Sequence, residues 1–210
     1  MRKLLLATAL SVCGLGAMVG GAHATIIGSA YFVSEAESQD AVIGFAHGAA
    51  NATFSVPNGP ISFTSAGGYS LGAFLASTPG EITLTGSAAD LARDLDNGGG
   101  GTIIELMGLV SVVNGQTFTV EHDDGLQLLI GGLLVVDAPG PTSATTTTVT
   151  YTGPTGTFAF DLVYGECCGA PAVLATSLPL TNGTVPEPTP LALLSATLIA
   201  FGVARRRLRA

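Results

Sequence analysis

Tryptophan is absent from this 210-residue chain, and basic residues are scarce: seven Lys and Arg stand against fifteen Asp and Glu. Those few lie at the ends, Arg2 and Lys3 at one and Arg205, Arg206, Arg207 and Arg209 at the other, with Arg93 alone between them. From Thr25 to Thr184 fourteen acids against that one arginine leave a charge of −13. No basic patch can be built there, and phosphate would be repelled, which excludes a nucleic-acid binder. Charged residues make up only 10% of the chain and apolar ones 47%. A disordered polyelectrolyte needs the opposite balance. A phosphate-cradling loop is missing too, since Gly98 to Gly101 is followed by Thr102 and not by Lys. Long helical periodicity, βαβ alternation and internal repeats are also lacking.

The ends read as targeting segments. Arg2-Lys3, the apolar stretch Leu4 to Val19 and the small residues Ala22-His23-Ala24 have the three parts of a secretory signal peptide, with cleavage expected between Ala24 and Thr25. A lipidated Cys13 is disfavoured by the bulky Val12 before it. At the other end Val185-Pro186-Glu187-Pro188 precedes an apolar run from Pro190 to Ala204 and the arginine cluster. Fifteen helical residues at ~1.5 Å each reach about 22 Å, short of a bilayer core of ~30 Å. The arginines would stay cytoplasmic, leaving residues 25–184 outside. The motif, the short apolar helix and the arginine tail together resemble the PEP-CTERM sorting signal. That resemblance covers about 25 residues. It implies processing near the motif by an exosortase at the inner membrane, a Gram-negative-type envelope, and delivery to the cell surface or an exopolysaccharide matrix. The expected organisation is a signal peptide (1–24), an exported domain (25–184) and a sorting segment (185–210).

The middle is rich in strand signals and predicts an all-β fold, an antiparallel sandwich or barrel. Phe118, Val120 and His122 alternate with Thr117, Thr119 and Glu121, and Phe158, Phe160, Leu162 and Tyr164 with Thr157, Ala159 and Asp161. Thr145 to Thr152 suits a half-buried strand. Gly131-Gly132 splits Leu126 to Asp137 as a tight hairpin would. The only helix signal is Ser87-Ala88-Ala89-Asp90, a capping pattern that could continue through Leu95.

His122-Asp123-Asp124-Gly125 sits between two such strands. Adjacent carboxylates at a turn repel unless they are solvated or bridged by a cation. Calcium, which takes six to eight oxygens at about 2.3–2.6 Å, is the natural bridge. The plainer alternative is that Asp-Gly makes a hairpin turn. The flanking run, from Thr117 through Gly132, then Phe160-Asp161-Leu162-Val163-Tyr164-Gly165-Glu166 and Gly169-Ala170, is similar to the protective-antigen-like sandwich of lectin-type domains. The similarity covers roughly residues 102–180. It implies that an Asp-Asp pair joined by a cis peptide holds calcium, that the calcium contacts sugar hydroxyls, and that Asp123 and Asp124 are its ligands, with Glu166 beside them at the ligand site.

Three further signals remain. Cys167-Cys168, the only cysteines after the signal segment, would meet an oxidising compartment and can close on each other or pair with another chain. In the first case they could shape a rim beside Asp123 and Asp124. Asp94 to Glu105 half resembles an EF-hand loop, but Gly98 stands where the fifth position needs an oxygen. Gly68-Tyr69-Ser70-Leu71-Gly72 matches the G-x-S-x-G elbow without its parallel-sheet setting. The expected function is therefore a non-enzymatic, exported, calcium-assisted module that binds carbohydrate or exopolysaccharide. The alternative is a structural matrix or surface protein with no small ligand, rigidified or cross-linked through Cys167 and Cys168.

Overall fold

In the computed structural model, residues 26–56 and 60–178 are described. The signal and sorting segments lie outside the described residues, and with them Ala24, Thr25, Val185, Pro186, Glu187 and Pro188. Among the described residues eleven strands form in chain order: β1 Ile26–Ser34, β2 Ala52–Val56, β3 Ser62–Thr64, β4 Thr83–Gly86, β5 Gly100–Val112, β6 Thr117–Asp123, β7 Leu126–Ile130, β8 Leu133–Ala138, β9 Thr145–Thr150, β10 Gly156–Glu166 and β11 Val173–Thr176. Every named pairing is antiparallel. A seven-stranded sheet runs β4-β2-β1-β5-β10-β7-β8, and a four-stranded one β3-β11-β6-β9.

Alternation decides which face each strand buries. Ile104, Leu106, Val110 and Val112 of β5, Phe160, Leu162 and Tyr164 of β10, and Leu126, Leu128 and Ile130 of β7 meet Phe118 and Val120 of β6, Phe63 of β3 and Leu174 of β11 in one core. Residues from both sheets in one apolar cluster make the fold a sandwich. The expected alternations in β6 and β10 are present, and the Thr-rich run forms β9. Gly131 and Gly132, with φ of 59° and 83°, make the two-residue connection of the β7–β8 hairpin. Both φ values are positive, as the primed turns of two-residue hairpins require.

The large sheet is covered on its other face as well. Tyr31, Ala41, Ile103 and Val163 form a second small cluster, with Ile43, Phe45 and Ala50 of the β1–β2 connection laid over it. Short stretches of helix interrupt the strands: α1 Glu35–Ser38, α2 Leu71–Ala76 and α3 Ala88–Ala92, with a 3₁₀ turn at Ser65–Gly67. Ser87 caps α3 by accepting from the Asp90 N–H at 3.0 Å. This helix stops before the expected Leu95, because Arg93 is extended (φ −73°, ψ 143°) and Leu95 is drawn fully into the core. Its N–H bonds the Tyr69 carbonyl at 3.1 Å, and Ser70 bridges Asp94. The sequence signals did not include α2. Its Leu71, Phe74 and Leu75 are buried at a spacing too short to register as periodicity. All the described residues belong to one compact unit.

β6 and β7 are consecutive in sequence but lie in different sheets. Residues 123–125 are therefore the corner at which the chain crosses between layers, not the turn of a hairpin. Gly125 is required there. A Cβ on it would collide with the backbone carbonyl of Pro139, and the Gly125 carbonyl accepts the Gly165 N–H at 2.9 Å. Gly125→Ala is expected to cost about 1–3 kcal/mol in urea unfolding, since backbone cannot yield as a flexible side chain would. Gly140→Ala, with no atom within 4 Å of the added carbon, should stay within about 0.5 kcal/mol.

Candidate cation and ligand site

The corner places its acids where β10 ends. Asp123 closes β6 and Asp124 opens the crossing, joined by a cis peptide bond. Glu166 is the last residue of β10. Carboxylate oxygens of Asp123, Asp124 and Glu166 lie within 4.8 Å of one another, and all three residues are buried, with relative exposures of 7%, 5% and 0%. The structure thus brings together the three acids singled out in the sequence, from segments some forty residues apart.

Each is held by named donors. The Thr142 N–H donates to Asp124 Oδ1 at 3.1 Å and the Cys167 N–H to Oδ2 at 3.0 Å. The Ala144 N–H donates to the Asp123 carboxylate. His122 Nδ1 lies 2.6 Å from the Asp124 carbonyl. A carbonyl can only accept, so the ring proton sits on Nδ1 and Nε2 faces Thr147 Oγ1 at 3.4 Å. Behind the pair, Tyr164 bonds both the Asp123 carbonyl and Glu166 Oε2, the latter at 2.6 Å, and the Tyr69 hydroxyl reaches Oε1 at 2.9 Å.

Tyr164 has one hydroxyl hydrogen and two acceptors beside it, the Asp123 carbonyl and Glu166 Oε2. Burial foremost, with the charges of Asp124 and Asp123 behind it, raises the Glu166 carboxyl to about 8, against the hydrogen bonds from Tyr164 and Tyr69, which lower it. Burial and then Asp124 also push Asp123 upward, against the Ala144 N–H and His122. Burial and then the Glu166 charge raise both phenols, Tyr69 and Tyr164, so neither ionises at neutral pH. Arg93, the only Lys or Arg from residue 26 to 178, instead stacks on the Phe32 ring at 4.3 Å.

Next to the acids an open depression of about 370 Å³ is lined by two segments, Pro141 to Ser143 and Cys168 to Pro171. Cys167 and Cys168 are disulfide-bonded to each other, so neither sulfur is left for another chain. Cys167 is fully buried, its Sγ 3.1 Å from Asp124 Oδ2, whereas Cys168 is exposed and lines the depression.

The other signals go elsewhere. Asp96 Oδ1 accepts the Gly98 N–H at 3.1 Å in a local turn. Glu105 sits in mid-strand with His47, at 3.5 Å, so the Asp94–Glu105 stretch does not close on an ion. Ser70 caps α2, its Oγ accepting the Ala73 N–H at 3.3 Å; the G-x-S-x-G match is a helix start. Tyr69, His122, Thr142 and Ala144 were not assigned site roles from sequence. Of these only Tyr69 and His122 sat inside stretches already marked, and the Pro139-Gly140-Pro141 turn signal was the available pointer to the 141–143 segment.

No protein-family model matches the chain, and no curated protein matches it. Among solved structures it is similar to a PA14 sugar-binding domain from an RTX adhesin, at 21% identity and a TM-score of 0.47, covering 75% of this chain and 91% of that one. It is also similar to the PA14 domain of an antifreeze protein, at 23% identity and 0.47, covering 76% and 84%. A GH31 α-xylosidase from Xanthomonas citri matches over only 16% of its own length, at 10% identity and 0.37. These are distant likenesses of shape; what the site can do follows from its own side chains.

Raised acid pKa values act against the folded state. Between pH 4.5 and about 8 an unfolded Glu166 has lost its proton while the folded one retains it. Stability in a chelator is therefore expected to fall as pH rises through that window, by on the order of 4 kcal/mol. In Glu166→Gln most of this slope should vanish in urea titrations at pH 5 and pH 8. An unchanged slope would place the titration elsewhere.

Proposed function

We propose that the chain is an exported, non-enzymatic module that binds carbohydrate through a calcium ion held by Asp123 and Asp124. The observation that supports this most directly is the convergence of three buried carboxyls in a stretch whose single arginine is engaged elsewhere. Burying like charges without a counter-ion is costly, and a hard divalent cation is the counter-ion that oxygen donors select. The donor set fits calcium: oxygens of three carboxyl groups within 4.8 Å of one another. When bound, the ion supplies coordination positions that neighbouring sugar hydroxyls can fill.

The chain's own residues then divide the work. Asp123 and Asp124 present their oxygens to the depression, while Thr142, Ala144 and Cys167 fix the carboxylates with backbone N–H groups. Tyr164 and His122 pin the corner by its two carbonyls. Glu166, kept neutral by burial and by the neighbouring Asp124 and Asp123 charges, adds no third charge until a cation arrives to justify one. Export through the signal segment, trimming by an exosortase-type enzyme and a surface or matrix location belong to the same reading, supported by the end motifs. The structural-protein alternative is weakened where it relies on cross-linking, because both mature cysteines are already paired within the chain.

Calorimetry of the mature chain is expected to show one calcium site, with Asp123→Asn and Asp124→Asn each weakening it at least tenfold. On a glycan array retention should require calcium and be lost in both variants. Array signals unaffected by chelator or by these substitutions would refute the site. For export, intact-mass measurement should give a mature N-terminus at Thr25.

A further inference from the structure

We infer that the Cys167–Cys168 disulfide is the apolar platform of the ligand site, the surface against which the C–H face of a pyranose packs while its hydroxyls meet the acids. This deepens the carbohydrate reading above and rests on it.

A bound pyranose presents two kinds of surface. Its hydroxyls need polar partners, which the acidic corner provides. Its ring C–H groups form an apolar patch that gains by leaving water. Proteins ordinarily meet such a patch with an aromatic face, which offers a large, rigid apolar surface. Here that solution is not present: no Trp, Tyr or Phe lines the depression beside Asp123 and Asp124, and the chain has no Trp at all. Besides the 141–143 segment, the side chains lining it are those of Cys168, Ala170 and Pro171.

Among these the paired sulfurs are the widest and most polarisable surface. Sulfur is soft and makes favourable dispersion contacts, and a disulfide carries no hydrogen to compete for the sugar's hydroxyls. Its placement is directional. Cys167 is fully buried with its N–H on Asp124, and Cys168 is exposed with its backbone in the left-handed region at φ 52°, followed by Gly169 at φ 102°. A non-glycine residue in that region is uncommon. One half of the disulfide is thereby anchored beneath the acids and the other turned out along the depression. Gln39 steadies the outer sulfur with its Nε2 3.6 Å from Cys168 Sγ. Pro141 and Pro171 add apolar surface to the same depression. A ligand that coordinates an ion at Asp123 and Asp124 shares the depression with this surface.

The class of ligand follows. It is a terminal pyranose with two adjacent hydroxyls for the ion and, on the ring face beside them, a run of C–H groups for the sulfurs.

The test separates platform from ion. Calcium alone, and then methyl α-mannopyranoside, methyl β-galactopyranoside and methyl β-glucopyranoside in saturating calcium, are titrated into the full mature chain. The same titrations follow for Cys167→Ala/Cys168→Ala and for Ala170→Gln, an exposed change that crowds the platform without touching the disulfide. The expected result is calcium affinity within about threefold of the parent in both variants, with sugar affinity reduced at least tenfold. Undiminished sugar affinity in Ala170→Gln, or in a double variant that still binds calcium, overturns the platform while leaving the carbohydrate reading intact. If the cysteine variant loses calcium along with sugar while Ala170→Gln keeps both, the disulfide only supports Asp124 and the platform is again overturned. Binding of calcium but of none of the three glycosides by the parent removes both readings.

Discussion

Acids buried together are the constraint around which this sandwich is arranged. Asp123, Asp124 and Glu166 meet where one sheet gives way to the other, and among the described residues the one Lys or Arg, Arg93, is engaged elsewhere. What holds the corner is hydrogen bonding: backbone N–H groups from residues 142, 144 and 167, two phenols and one imidazole. These hydrogen bonds lower the cost of the carboxylates without cancelling their charge. The folded protein therefore retains a local deficit of positive charge, and the depression beside it is where the deficit faces outward. Fold and site share one cause, since the crossing that joins the sheets is also the segment that carries the acids.

Much of this was visible in the sequence, for physical reasons that differ by element. Strands with a strict period of two, such as β6 and β10, announce themselves because one face is wet and one dry. The β7–β8 hairpin was legible because Gly-Gly satisfies a turn that few other pairs can. The acidic pair stood out as an electrostatic oddity. Less legible was whatever depends on contacts distant along the chain. Helix α2 is too short to show a period, and its Ser70 imitated a catalytic elbow while serving as a cap. Helix α3 ended early because the core claimed Leu95, a tertiary effect that local capping rules do not contain.

The corner itself shows the same limit from the other side. Asp-Gly between two strands reads equally well as a hairpin or as a crossing, and only the sheet assignment of β6 and β7 separates them. Tyr69 and the Pro139–Ala144 segment could not be joined to the acids by any local pattern. Tyr69 lies 97 residues from the carboxylate it bonds. The disulfide is intermediate: its two cysteines are adjacent, so their pairing needs no fold, but its position on the rim does.

The second cluster on the outer face of the large sheet has a consequence of a different kind. Because the β1–β2 connection lies over Tyr31, Ile103 and Val163, the three inner strands β1, β5 and β10 are covered on both faces there. Glu166 stands at the end of one of those doubly covered strands. Thermal fraying begins at edge strands and would therefore reach β4 and β8 well before β10, so the acidic corner is fastened on one side to a strand that opens late.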